Sequence, residues 1–486
     1  MRKKICDFFK VGEMGSTFRV EIISGLVTFL SMSYILTLNP SLITGDWTQS
    51  TPLWASVFIA TALGAIVGTA LMAFLAKMPL AQAPGLGLNS MVGGLIGATA
   101  SLGFKVSFGN AMLLVFISGV LFLLLSVIKI KGVTIREKIF DGIPVSIRSA
   151  ISVGIGLFIA FIGLVNAGII VPGNGTLVSL VQFNNYEAFP SSAIVLLVGL
   201  FSIVVLEHFK VKGSVIIGII IATLVGIPLG ITTYSGMSWK FWEYFGNFFS
   251  MDPANGGTFF ALFTEGLEWA PEATIMPCVM TVISFSMIDM FDTIGTVVGC
   301  ASAAGLLDEN GKPQNYEGVM LSDSVATCAG AVFGTSTVTT FVESGSGVAA
   351  GGKTGLTALS AAVFFFLSIF LMPLIASIPS AAASSALVYV GCLMLKEAKH
   401  LKMDNIKDIL PVFLTVALMP LTYSITNGIG FGILSYVVIE VVSYLVQLIL
   451  HALNKEKHQA PKWEISPICL IVAVLFLVYF FVPTVF

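Results

Sequence analysis

The sequence predicts an all-α polytopic membrane protein. Three features do so: apolar runs of spanning length, a regular alternation of loop charge, and two Gly/Pro-broken segments at matching places. Of 486 residues, 56% are hydrophobic and 10% are charged, where a soluble domain has about 25% charged. Mean hydropathy is +0.97. A single core could not bury so much apolar surface, so lipid must be the solvent for much of the chain. The formal net charge of −2 gives no sign of a nucleic-acid partner, since no excess of Lys and Arg exists to neutralise phosphates.

The N-terminus, MRKKICDFFKVGEMGSTFR, scatters charges among aromatics and lacks a short apolar core with a cleavage site. It reads as a cytoplasmic segment, residues 1–19, and not as a removable signal peptide. Apolar runs able to cross about 30 Å of hydrocarbon then fall at 20–39, 53–76, 84–100, 109–129, 143–164, 191–209 and 213–231. After an outer connection at 232–271 come 272–300, 318–333, 343–351, 355–378, 382–398, 408–425 and 428–451. The expected architecture is fourteen transmembrane segments, seven within 20–231 and seven within 272–451. A C-terminal extension, 452–486, carries one more apolar run at 466–485, which either spans or lies along the interface.

Loop charges orient these segments. The loops 40–52 and 165–190 contain no Lys or Arg, and neither does the link at 379–381. The alternate loops carry Lys129, Lys131, Arg136 and Lys138, then Lys210 and Lys212, then Lys396, Lys399, Lys402 and Lys407, and finally Lys455 and Lys457. The basic side is the inside, which puts the N-terminus in the cytoplasm and the chain in the plasma (inner) membrane.

The third segment of each half is irregular. PLAQAPGLGLNSMVGG (79–94) has two prolines and the step Gly85-x-Gly87. TSTVTTFVESGSGVAAGG (335–352) begins β-branched with period two and then shows Gly345-x-Gly347. Each reads as a short strand passing into a half-helix, which survives at membrane depth only where it is buried in protein or lines a cavity. Adding 260 to Gly85 and Gly87 gives Gly345 and Gly347, and the same offset aligns Ile23-Ser24 with Ile283-Ser284. Seven is odd, so the halves would face opposite ways. An inverted repeat with paired discontinuous helices is the mark of a secondary transporter.

Intramembrane carboxylates come next, because each costs about 2.5–3.5 kcal/mol at the bilayer centre and needs a reason. Asp289 and Asp292 in SMIDMFDTIGT are three apart and share a helical face. Glu343 sits at the second strand-to-helix junction. These acids, with neighbouring Thr293, Thr340 and Ser344 in support, could bind a proton and a polar ligand together. Asn89 opens the first half-helix, and its amide offers both donors and an acceptor; capping the helix broken by Pro84 is the alternative reading. Asp323 in LSDSVAT reads as a structural residue, Glu440 as packing or interfacial, and Lys353 as an inside anchor. WKFWEYFGNFF (239–249) reads as an interfacial amphipathic belt.

Six cysteines form no CxxC pair and lie mostly in apolar runs, so neither a disulfide framework nor a zinc site is expected. His208, His400, His451 and His458 stand at the ends of apolar segments and read as interfacial residues. No metal and no cofactor is expected. A membrane-embedded enzyme would need an activated nucleophile or a metal cluster, and no HExxH or GxSxG appears.

The segments VTFLSMSYILTLNPS, APGLGLNSM, IDMFDTIGT, SDSVAT and GTSTVTTFVESGSGVAAGGKTGLTAL resemble the adenine/guanine/hypoxanthine permeases of the nucleobase–ascorbate transporter superfamily. The resemblance runs from about residue 16 to 450 and keeps the family's order. It implies two inverted repeats divided into core (segments one to four and eight to eleven) and gate domains, with segments three and ten each pairing a strand with a half-helix. It also implies purine import by proton symport, with sodium the other candidate ion, and homodimers formed through the gates. By motif position, Asn89, Asp289 and Glu343 would contact the purine and Asp292 would support binding or coupling. The chain departs from the family at Leu86, at Ser90-Met91-Val92, where an aromatic pair is usual, and at Lys353 in the GGRTG motif. Carriage of uracil, xanthine or an anion on the same fold, or a non-transporting receptor, are the other readings of the residues.

Overall fold

The computed structural model describes residues 2–97, 106–130, 133–173, 175–183, 190–211, 213–233, 239–270, 275–306, 313–401, 403, 405–453, 463 and 465–481. Lys131, Lys212, Lys402, Lys455, Lys457, His458 and the run ends 98–100 and 482–485 lie outside them.

The described residues are mostly helical. In lipid a helix satisfies its own backbone, so apolar runs have little other choice. The first run forms α1 (Phe18–Met32) and α2 (Ile35–Thr44), interrupted at Ser33–Tyr34. Thr17 caps α1 and Thr51 caps α3 (Pro52–Leu71), each hydroxyl accepting an N–H three residues on. A π turn, Met72–Ala76, extends α3. Then follow α4 (Leu86–Gly97), α5 (Phe108–Val127), α6 (Val145–Asn166), α7 (Ser191–His208) and α8 (Ser214–Gly226). Ser107 and Asn110 form a capping box that fixes the start of α5.

The later part of the chain builds α9 (Ile275–Ala304), α10 (Tyr316–Phe333), α11 (Ser344–Ala349) and α12 (Gly355–Ile369). It continues with α13 (Ser380–Met394), α14 (Ile406–Leu421), α15 (Ile425–Leu453) and α16 (Pro467–Phe481). Among the described residues, seven helical stretches are long and apolar enough to cross a membrane, and five further apolar helices are shorter. The aromatic belt forms a short helix, Phe241–Phe248. One edge of it docks on α3, where Phe248 is buried against Ile59 and Ala60.

The helices pack in two groups. In one, α1, α3, α5, α10 and α12 pack on one another, with α9 against α5 and α11 against α1 and α9. In the other, α6 packs on α13 and α14, α7 on α8 and α13, and α14 on α15. Between them α4 touches α2, α5, α6 and α9, while α16 touches both α15 and α9.

Two three-residue strands lie at the broken segments: β1 (Gln82–Pro84) and β2 (Val338–Thr340). They pair antiparallel, with Ala83 opposite Thr339. The ladder extends at both ends, since Gly85 N–H donates to Thr337 O at 3.0 Å and Phe341 N–H to Ala81 O at 3.1 Å. Each break therefore satisfies the amides of the other, as irregular backbone at membrane depth requires. The strand pairing also differs from the glycine register of the sequence. Gly85 follows β1 at once, whereas Phe341, Val342, Glu343 and Ser344 intervene between β2 and Gly345.

Candidate functional site

The two strands pack on α3, α9 and α10 and run on into α4 and α11. Asn89 lies in the first turn of α4 and is fully buried. Its Oδ1 accepts from Ser336 Oγ, and its Nδ2 donates to Pro84 O at 3.3 Å. The amide thus binds across to the second break and back to the strand of its own.

On α9, Asp289 is 1% exposed. Its Oδ2 accepts from Thr327 Oγ1 at 3.2 Å, while its Oδ1 is buried without a hydrogen-bond partner among the described residues. A buried acceptor left unpaired costs about 1–3 kcal/mol. Such an atom marks a place where a donor is expected to bind. Gln82 Oε1, on β1, is a second buried acceptor of this kind. Asp292 is half-buried and accepts from Thr339 Oγ1 at 3.4 Å. The two aspartates of α9 therefore engage different elements, α10 and β2.

Glu343 stands at the junction of β2 and α11, half-buried. Its Oε1 accepts from the phenol of Tyr34 at 2.5 Å. Tyr34 occupies the interruption between α1 and α2 and is 4% exposed. Sequence reasoning missed it, although the one phenol of the run 20–39 needs a partner when buried.

The supporting residues divide differently from the expectation. Thr293 donates to Asp323 Oδ1 at 2.8 Å, not to Asp289 or Asp292. Thr340 Oγ1 accepts from Gln82 Nε2 at 3.3 Å. Ser344 Oγ accepts Ala81 N–H at 3.0 Å. Thr340 and Ser344 knit the two breaks together. Gly85 lies close to β2: a Cβ there would come within 3.2 Å of Thr339.

One further charge was read differently from sequence, and another, Glu21, was not singled out there. Arg136, counted there among the solvated loop cations, is buried and paired with Asp323 at 3.0 Å. A buried carboxylate draws in a counter-charge, and Arg136 supplies it. Glu21 is fully buried and accepts from Thr354 Oγ1 at 2.8 Å, from Thr357 Oγ1 at 2.6 Å and from the N–H of Lys353 at 3.2 Å. It holds the loop after α11 and the N-terminus of α12, where a carboxylate complements the helix dipole.

Carboxylates and the Asn89 and Gln82 amides thus gather beside the paired strands, a set suited to N–H donors and to a proton. Residues 19–431 match the family model described as the permease family. The chain is 35% identical to a guanine/hypoxanthine permease of Bacillus subtilis, over 98% of this chain and 100% of that protein. It is 34% identical to an adenine permease of Escherichia coli, over 89% and 90%. Its fold is similar to the transmembrane domain of a cyanobacterial bicarbonate transporter, with a TM-score of 0.60 at 14% identity, covering 85% of this chain and 97% of that one. The chain belongs to the permease family and is a membrane transport protein, not an enzyme.

Proposed function

We propose that the chain imports a purine nucleobase (adenine, guanine or hypoxanthine) together with a proton, by alternating access. The observation that carries this is the convergence of Asn89, Asp289, Asp292 and Glu343 on the paired strands, with Asp289 Oδ1 still unpartnered. Purine ring N–H groups are donors and its ring nitrogens and carbonyls are acceptors. The carboxylates accept the former, and the Asn89 amide serves the latter once it exchanges its bonds to Ser336 and Pro84. The names of the purine-permease relatives point to the same cargo. An anion carrier would place a cation or free half-helix amides at the site with few acids, whereas Asp289, Asp292 and Glu343 lie here and Arg136 is committed to Asp323.

In this reading the fourteen segments form two inverted repeats, 20–231 and 272–451. The helix group holding α1, α3, α5 and α9–α12 is the core, the group holding α6–α8 and α13–α15 is the gate, and gates pair in a homodimer. The N-terminus faces the cytoplasm of a cell whose inner membrane holds the protein. A purine and proton bound from outside shift the core against the gate because they bind its two states unequally.

Uptake of radiolabelled purines and uracil into proteoliposomes, with and without a pH gradient, tests this. Purine uptake that follows the proton gradient is expected. Asp289→Ala and Glu343→Ala each remove a charge-assisted contact of about 1.5–3 kcal/mol, or about 10- to 150-fold in affinity, and abolish net uptake while the protein still inserts. Wild-type uptake by either variant sinks the site. Uracil uptake alone changes the cargo, and a flux that follows sodium changes the coupling ion.

A further inference from the structure

Arg136 has no place in the binding scheme above, yet it is the most enclosed cation described. It is 1% exposed and its partner Asp323 is 0% exposed. Its guanidinium lies over the Phe122 ring, 3.6 Å from the centroid. Nη2 donates to Asp323 Oδ2 at 3.0 Å, and Nη1 reaches Ser126 Oγ and Met320 O, each at 3.5 Å. A planar fork that stacks and bonds at once is a task for arginine and not for lysine.

The other oxygen of Asp323 faces α9 and the paired strands. Oδ1 accepts from Thr293 Oγ1 at 2.8 Å and from Gln82 Nε2 at 3.4 Å. Thr293 follows Asp292 on α9. Gln82 opens β1, and the same amide donates to Thr340, its register partner on β2. One carboxylate therefore holds the acid-bearing helix and both strands.

The origin of Arg136 matters equally. It lies on the short helix Ile135–Gly142, in the connection between α5 and α6, and so between the two helix groups. Lys129, in the same connection, pairs with Glu317 at the start of α10 at 2.5 Å. The connection is thus pinned to α10 twice, once at the surface and once in the interior.

We propose that Arg136 is a positioning residue for the transported ligand: from the connection between the helix groups it sets Asp323, which orients Gln82 and Thr293 and so fixes the strand pair and the carboxylates of α9. This rests on the reading of the broken segments as the binding site. Without the guanidinium, Asp323 keeps two neutral donors and an unmatched buried charge. The carboxylate then reorients, and β1 and α9 lose their common hold.

The test uses the full chain, purified in detergent for equilibrium binding of tritiated guanine, hypoxanthine and adenine and reconstituted for uptake. Arg136→Gln is expected to raise Kd and KM about tenfold or more, with the maximal rate per folded molecule changed by less than about threefold. The double variant Arg136→Gln/Asp323→Asn replaces the ion pair by an amide pair whose oxygen still accepts from Gln82 and Thr293. It is expected to return Kd to within about threefold of wild type. Thr293→Val leaves the ion pair intact and strands no charge; it shifts Kd the same way by a smaller factor, and decides the matter if Arg136→Gln does not fold. Monodisperse variants with lowered Tm but unchanged Kd and KM overturn the proposal, since the pair then only stabilises the fold. Wild-type protein that binds none of the purines is a separate result, which removes the site reading and this proposal with it.

Discussion

The two broken segments share a design and differ in what holds them. Both run from a strand into a half-helix, but α4 has twelve residues and α11 six. An added Cβ at Gly87 would meet Ile155 of α6 at 3.1 Å and Ile425 of α15 at 3.4 Å, both on the other helix group. At Gly347 it would meet Thr28 Oγ1 at 2.0 Å and Ser24 O at 2.8 Å, both on α1 within its own group. The second break is further tied down by Ser346, whose hydroxyl donates to Ser31 at 2.9 Å, and by Glu21 beneath the following loop. The first break therefore offers a neutral amide at a boundary between groups, and the second offers an acid anchored inside one group. Two similar sequence devices thus give one break that faces the other helix group and one that is packed within its own.

Gly347→Ala attacks the anchored side and should have the largest effect. Thr28 can rotate away, but Ser24 O is backbone and moves only with α1. Overpacking of this kind costs about 1–3 kcal/mol, so a lower yield of folded protein and a lower Tm are expected. A variant of wild-type Tm would show that α11 is not clamped. Next comes Tyr34→Phe, which keeps the ring and removes the donor to Glu343. A hydrogen bond to a charged group is worth about 1.5–3 kcal/mol. Once the carboxylate is no longer aimed, purine affinity should fall about tenfold. Unchanged Kd would mean that Glu343 is held by its backbone alone.

The boundary side should respond differently. Among the described residues, Gly87→Ala meets the methyl groups of Ile155 and Ile425, which can yield a few tenths of an ångström. Its stability should change by less than about 1 kcal/mol, while uptake slows severalfold at near-normal purine affinity, because the obstruction lies between groups. Binding in detergent compared with turnover in proteoliposomes separates the two. Lost stability with normal turnover would erase the contrast between the breaks.

Much of this was legible in the sequence because lipid leaves few options. Apolar runs such as 53–76 and 109–129 became helices, and the period-two stretch TSTVTT became the start of a break with a true strand in it. The contacts were not legible, since they join residues from tens to hundreds of positions apart. Nothing near Asn89 names Ser336, and nothing near Glu343 names Tyr34. Arg136 shows the physical reason most clearly: the same residue is a topology signal when solvated and a counter-ion when buried. One clue was available. Asp323, inside a span and read as structural, required a cation, and Arg136 directly follows an apolar residue, Ile135, in VTIREKIF. Thr293 was grouped with the aspartates by adjacency in sequence, whereas its hydroxyl serves Asp323.

The smallest expected effect falls at Gly345, the residue that first matched the two breaks. Among the described residues, an added Cβ there would have only Cys300 Sγ within reach, at 3.8 Å, an ordinary contact, and its φ is not in the left-handed region. Neither space nor backbone requires glycine. In α11, alanine restricts the unfolded chain and favours the helix, which is worth about 0.5–1 kcal/mol. Gly345→Ala should therefore fold as well as wild type or slightly better and transport normally, as judged by Tm and proteoliposome uptake. Lost uptake at an intact Tm would change the comparison, because a methyl group that harms only transport must occupy room the ligand uses. The second break would then be a ligand-facing surface as well as an anchor, and the contrast with Asn89 would narrow to the difference between an acid and an amide.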